Sequence, residues 1–192
     1  ENTNTLVVTG RGKSVTLKDI RDRGGKDYLQ EVSPKVWLAK ASIFIHHGVT
    51  LKLDKSEVEW LKLESNEENF SVLRSLSGDV LINGVKITSW DSKKNDYDKD
   101  MANGRSFIVV KDNARMDIRN SELAYLGYPR RPELSVSPYG VSWSLSAQKL
   151  KSVLLTGEVT DSKFHHNYFG AYTFGATGMT WRGNEFYENV RY

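Results

Sequence analysis

Four segments of the chain can be set beneath one another: Ile82-Asn83-Gly84-Val85-Lys86-Ile87, Ile118-Arg119-Asn120-Ser121-Glu122-Leu123, Val159-Thr160-Asp161-Ser162-Lys163-Phe164 and Trp181-Arg182-Gly183-Asn184-Glu185-Phe186. Each reads apolar, variable, then Gly, Asn or Asp, and closes on an apolar residue five positions after the first. Successive segments are 36, 41 and 22 residues apart. Twenty-two residues suit one coil of a parallel β-solenoid, so the two longer intervals carry insertions. Asp91 to Gly104, rich in Asp, Lys and Asn, is one, and Tyr128 to Pro138, with three of the four prolines, is the other. In the last two coils Phe164 aligns with Phe186 and Asn167 with Asn189. These four residues are expected to form a structural ladder, Phe stacking on Phe and each Asn amide bonding the backbone of the neighbouring coil. An immunoglobulin-like sandwich offers no reason for Asn to align with Asn at a fixed period.

Between the turns, apolar residues alternate, as in Val49, Leu51 and Leu53 or Met116 and Ile118. Helical signals are confined to Lys18 to Asp22 and Ala147 to Ser152. The expected fold class is therefore all-β, a right-handed parallel β-helix of about 22 residues per coil. Residues 1–40 are expected to act as a capping region and residues 41–192 to form the coils. A solenoid exposes strand edges and apolar surface unless its end is covered. Tyr192 follows directly on a well-formed coil, so the chain is expected either to be truncated from a longer β-helix or to make a chain–chain contact at that coil.

Composition narrows the function classes. The 192 residues include no cysteine, which excludes thiolate metal sites, disulfides and a cysteine nucleophile. No apolar run approaches the ~20 residues of a membrane span, so membrane insertion is not expected, and Glu1-Asn2-Thr3-Asn4 does not read as a signal peptide. Residues 1–104 hold 16 basic and 16 acidic side chains, and residues 105–192 hold 11 and 8, so the net charge of +3 resides in the second half. That weak field suits a polyanionic ligand. Nucleic acid is not expected, because it calls for a denser Lys/Arg stripe.

Local motifs are mostly structural. Gly10-Arg11-Gly12-Lys13-Ser14 lacks the earlier Gly of a phosphate loop and reads as a basic turn between strands. Asp96, Asp98 and Asp100 alternate as in calcium loops, but Phe107 stands where an EF-hand needs Glu, so calcium is a weak expectation and no other cofactor is implied. Asn69-Phe70-Ser71 is a sequon. Among the four histidines, His165 and His166 lie in the basic half near Tyr168, Tyr172 and Tyr187, with Arg182 and Arg191 one coil on. They are the weak catalytic candidates. As strand neighbours they are expected to point to opposite faces. Trp143, Tyr168, Tyr172, Phe174, Trp181 and Tyr187 are mostly expected in core stacks, with a minority lining a groove for sugar rings.

Tyr139-Gly140-Val141-Ser142-Trp143, the run from His166 to Ala176, Arg182-Gly183-Asn184-Glu185-Phe186 and Asn189-Val190-Arg191-Tyr192 together resemble the mannuronan (alginate) C5-epimerases of the single β-helix type. In that family a tyrosine matching Tyr192 is typically followed within a few residues by an Asp-Pro-His-Asp motif, which these 192 residues do not contain. The resemblance implies an acidic polysaccharide (a uronate polymer) as partner, conversion of mannuronate to guluronate within it, and a secreted, periplasmic or cell-surface location. It further implies substrate contacts by Arg191, Tyr172, Tyr187 and Tyr192, with the catalytic base unassigned and this chain expected to be inactive alone. A non-catalytic β-helix for carbohydrate binding or surface assembly is the alternative, and a uronate lyase a second one.

Overall fold

The aligned apolar positions are register partners in space. Ile82 pairs with Ile118, Ile118 with Val159 and Val159 with Trp181, while Ile87, Leu123, Phe164 and Phe186 stack in the same way. In the computed structural model, which describes residues 4–129, 138–146 and 153–192, these pairings extend into three ladders. The first sheet stacks Thr5–Val8, Ser42–Ile45, Leu73–Leu76, Ile108–Lys111, Gly140–Ser144 and Phe169–Phe174. The second stacks Lys13–Val15, Val49–Asp54, Asp79–Asn83, Met116–Arg119, Glu158–Thr160 and Thr180–Arg182. The third stacks Val36–Ala39, Trp60–Glu64, Lys86–Trp90, Glu122–Ala124, Lys163–His165 and Glu185–Tyr187, with Leu29–Ser33 added antiparallel at its edge. All other pairings between these strands are parallel, so the fold is a right-handed parallel β-helix, the hand taken when a right-twisted strand returns to its own sheet.

Inward-facing Ile, Leu, Val and Phe residues fill the bore, and Trp143 is fully buried within it. Trp181 lies edge-on to Trp143 at 5.6 Å, and Phe164 stacks on Phe186 at 4.9 Å. The first 40 residues already join the stack, since Thr5–Val8 and Lys13–Val15 pair with the next coil. The expected helical turn occupies Leu17–Ile20, held by a capping box between Thr16 and Asp19, and the segment that follows leaves helical geometry at Arg23 and Gly24. The other, Ala147 to Ser152, lies outside the described residues, as does most of the Tyr128 to Pro138 insertion.

Corner chemistry explains the turn residues. Gly84, Asn120, Asp161 and Gly183 all adopt left-handed backbone, with φ of 68°, 51°, 50° and 66°, a conformation Gly, Asn and Asp reach most readily. Beside them runs a polar ladder: Ser121 Oγ accepts from the Val85 N–H, Ser162 Oγ from Ser121 and Asn184 Oδ1 from Ser162. At the next corner Asn167 and Asn189 do the same. Asn167 Oδ1 accepts from the Leu126 N–H at 2.8 Å and its Nδ2 donates to the Leu123 carbonyl at 2.9 Å. Buried coil corners thus keep their backbone groups paired.

Candidate functional site

The corner between the third and first sheets carries the ionisable groups. Ala124, His165 and Tyr187 are register partners at the ends of three successive strands. The residue after each, Tyr125, His166 and Glu188, is left-handed, with φ of 58°, 55° and 53°. Equivalent backbone at equivalent positions stacks the side chains: Tyr125 lies over His166 at 4.8 Å, and His166 Nε2 is 3.2 Å from Glu188 Oε2.

The left-handed residue also corrects the expectation that the two histidines face apart. Strand alternation ends at His165, and the φ of His166 swings its ring back, so the two Nδ1 atoms meet at 2.8 Å. His165 Nε2 is 3.2 Å from Glu122 Oε1, and its ring stacks on Tyr187 at 4.7 Å. Lys86 Nζ lies 2.8 Å from the same Glu122 oxygen. Burial pulls the His165 imidazole below its ordinary pKa, against the pull of Glu122. Burial raises the Glu122 carboxyl, but hydrogen bonds from Lys86 and His165 outweigh it and leave the group below its usual value. Burial likewise lowers Lys86, while Glu122 and Tyr97 more than restore it, so the ammonium is held above its ordinary value.

The Asp91 to Gly104 insertion folds over this face. Tyr97 stacks on Tyr125 at 4.4 Å, lies tilted against Trp60 and meets Trp90 edge-on. Lys62 Nζ sits 3.4 Å above Trp90 and 4.2 Å above Trp60, its pKa lowered by burial. Arg105, 1% exposed, closes the insertion. Its guanidinium donates to the carbonyls of Gly127 at 3.0 Å, Leu126 at 3.1 Å and His166 at 3.0 Å. Burial pulls Arg105 down to about 10, which leaves it charged at neutral pH. A cleft of about 320 Å³ opens here between Lys99, Met101, Arg105, Tyr125, His166, Glu188 and Val190.

The other expected residues divide between two places. Tyr172 stands on the outer face of the first sheet, 4.5 Å from Tyr139 and 5.8 Å from Phe169 in a cluster that Tyr168 completes. Arg191 is the parallel bridge partner of Phe169 and is exposed. Tyr192, 81% exposed, instead borders a recess with Gly170, Trp181 and Phe186, separate from the histidines. The three aspartates diverge: Asp98 accepts from Ser65, Asp96 from Lys99 and Asp100 from the Ala102 N–H. Among the described residues no group of three or more His, Asp or Glu side chains converges to hold a metal ion.

Sequence reasoning missed Lys86, Glu122, Tyr125, Glu188 and Arg105. Glu188 was accessible, since it follows His166 by one coil period. The others depend on coils separated by insertions. The assembled corner brings together two adjoining imidazoles, cations and aromatic rings, groups able to move protons and to bind anions.

No protein-family model matches the chain. It is 30% identical to a mannuronan C5-epimerase of Pseudomonas fluorescens over 184 residues, which is 93% of this chain and 33% of that protein. It is 27% identical over 168 residues to mannuronan C5-epimerase AlgG of Azotobacter vinelandii, covering 84% of this chain and 30% of that one. The crystal structure of the periplasmic alginate epimerase AlgG superposes with a TM-score of 0.82 at 25% identity, over 94% of this chain and 41% of the other. The chain therefore spans about a third of the length of the curated relatives it matches. Along nearly all its residues in sequence, and along the same span in fold, the chain is similar to the mannuronan C5-epimerases.

Proposed function

We propose that the chain forms part of an epimerase that inverts C5 of mannuronate within a polymer, with the polysaccharide lying across the corner between the third and first sheets. The observation that carries this reading is His166, joined to the buried His165, in the lining of a cleft with Tyr125, Lys99 and Arg105. Inversion at C5 requires three services. A cation neutralises the carboxylate and so acidifies the adjacent C–H; Arg191, exposed and beside the Phe169–Tyr172 cluster, supplies it. A base then removes the C5 proton, and an acid returns one to the opposite ring face. Tyr172 and Tyr187 offer ring faces to successive sugars. The neighbouring protein in fold is periplasmic, and a periplasmic or secreted setting is proposed for this one.

The test is to incubate polymannuronate with the intact protein in D₂O and follow it by proton NMR. Guluronate signals with deuterium at C5 are expected. An unsaturated, ultraviolet-absorbing product would replace this reading with a lyase, in which the same intermediate expels its 4-linked substituent. Binding with neither exchange nor cleavage would replace it with a non-catalytic carbohydrate-binding β-helix.

A further inference from the structure

We propose that His165 and His166 act as one acid–base unit that holds a single proton between their Nδ1 atoms, and that His166 Nε2–H binds a carboxylate of the sugar polymer in the place Glu188 now occupies. The second clause rests on the function proposed above; the first does not.

The argument is a count of hydrogens. Two ring nitrogens 2.8 Å apart can hold one hydrogen between them, one donating and the other accepting. Each outer nitrogen faces a carboxylate oxygen at 3.2 Å, Glu122 for His165 and Glu188 for His166, so each carries a hydrogen of its own. Three hydrogens on four nitrogens give the pair one positive charge. A fourth would set two N–H groups against each other and break the contact. Loss of the hydrogen on His166 Nε2 leaves two, and the Nδ1 contact survives with His166 as donor. The unit can thus release and regain one proton without either ring moving.

The surroundings favour this use. His165 is buried and clamped by Tyr187, while the His166 ring is held by Tyr125 and its carbonyl by Arg105. The charged groups facing the pair are Lys86 and Glu122 from the third sheet, Lys99 and Arg105 from the insertion, and Glu188 from the last corner. Glu188 is the exposed partner, with 63% of its side chain accessible, and it is the member a ligand carboxylate can displace at no change in net pairing. Glu122, bridged to Lys86, stays in place.

The test uses long-range ¹⁵N–¹H NMR of the imidazole nitrogens across pH in the intact chain. The expected result is that the two rings share one protonation step, and that His166→Gln turns His165 into a ring with a separate, shifted step. Independent titration of the two rings, unaltered in His165 by that substitution, would overturn the unit. Adding a mannuronate oligomer should then move His166 Nε2, a neutral oligosaccharide should not, and Glu188→Gln should tighten oligomer binding about threefold by removing a competitor. A shared step with oligomer binding that leaves His166 unmoved would overturn the carboxylate contact alone. A shared step with no oligomer binding would overturn the function proposed above while leaving the proton count standing.

Discussion

Asn189 Oδ1 accepts the backbone N–H of Asn167 at 3.0 Å, across the 22 residues that make one coil. Asn167 in turn serves Leu126 and Leu123, and Asn189 Nδ2 donates to the Phe164 carbonyl at 2.9 Å. The corner is thus a chain of amides, each satisfying backbone that β-pairing leaves free. Asn167→Leu is expected to destabilise the protein by about 1–3 kcal/mol, because the Leu126 N–H and Leu123 carbonyl lose a buried partner. Chemical denaturation measures this, and an unchanged midpoint would remove the ladder from the account of stability.

Arg105 makes the converse prediction, for a buried charge. Its guanidinium binds three carbonyls of the corner and ties the insertion to the coils. Arg105→Met keeps the apolar stem and removes the donors. We expect a loss of about 2–4 kcal/mol, with faster amide exchange over residues 96–105 than in the coils. Uniform exchange throughout would show that the insertion is held by the Tyr97–Tyr125 stack instead.

Stability should fall on acidification in two stages. His165 has a folded pKa below the ordinary 6.5, so the unfolded chain takes up its proton first and stability drops as pH falls below that value. Glu122 also lies below its ordinary 4.5, so its contribution is present above that pH and is lost as pH falls towards its folded value. Lys86 has the opposite sign: its pKa is raised above 10.5, and its contribution disappears only as pH rises through the folded value. Thermal melts of the wild type and Glu122→Gln between acid and neutral pH check the second stage, which should be smaller in the variant, where Asp54 and Glu158, also held below their ordinary values, still contribute.

Arg191→Ala should weaken binding of a uronate oligomer roughly tenfold, the scale of one charge-assisted hydrogen bond, and leave neutral glycans unaffected. Titration calorimetry with the two ligand types decides this. Equal losses for both would reduce Arg191 to a packing residue.

Gly127 is set against backbone. With φ of 80° and a Cβ that would collide with the Gly140 backbone nitrogen, Gly127→Ala must shift the chain beneath Arg105. A loss of more than about 2 kcal/mol is expected, read from denaturant midpoints. Gly12, also left-handed at 73° but open around its Cβ position, serves as the mild comparison.

By itself the sequence determined the coil register. The apolar-to-turn pattern predicted that Ile82, Ile118, Val159 and Trp181 share a row, and that Gly, Asn or Asp fills the corner that follows it. It could do so because core burial and left-handed backbone each restrict residue type at a single position. Within the site it singled out His165, His166, Tyr172, Tyr187 and Arg191 one by one. Only the tertiary structure decided how they meet. Alternation predicts that neighbouring histidines face apart, and the left-handed backbone of His166 reverses that. Arg105 reads as an ordinary surface arginine until its insertion folds back and delivers it to carbonyls 21, 22 and 61 residues away. Lys86, Glu122 and His165 lie on three successive coils of 36 and 41 residues. Their hydrogen bonds follow from stacking geometry, which periodicity can place in a row but which only packed coils bring within bonding distance.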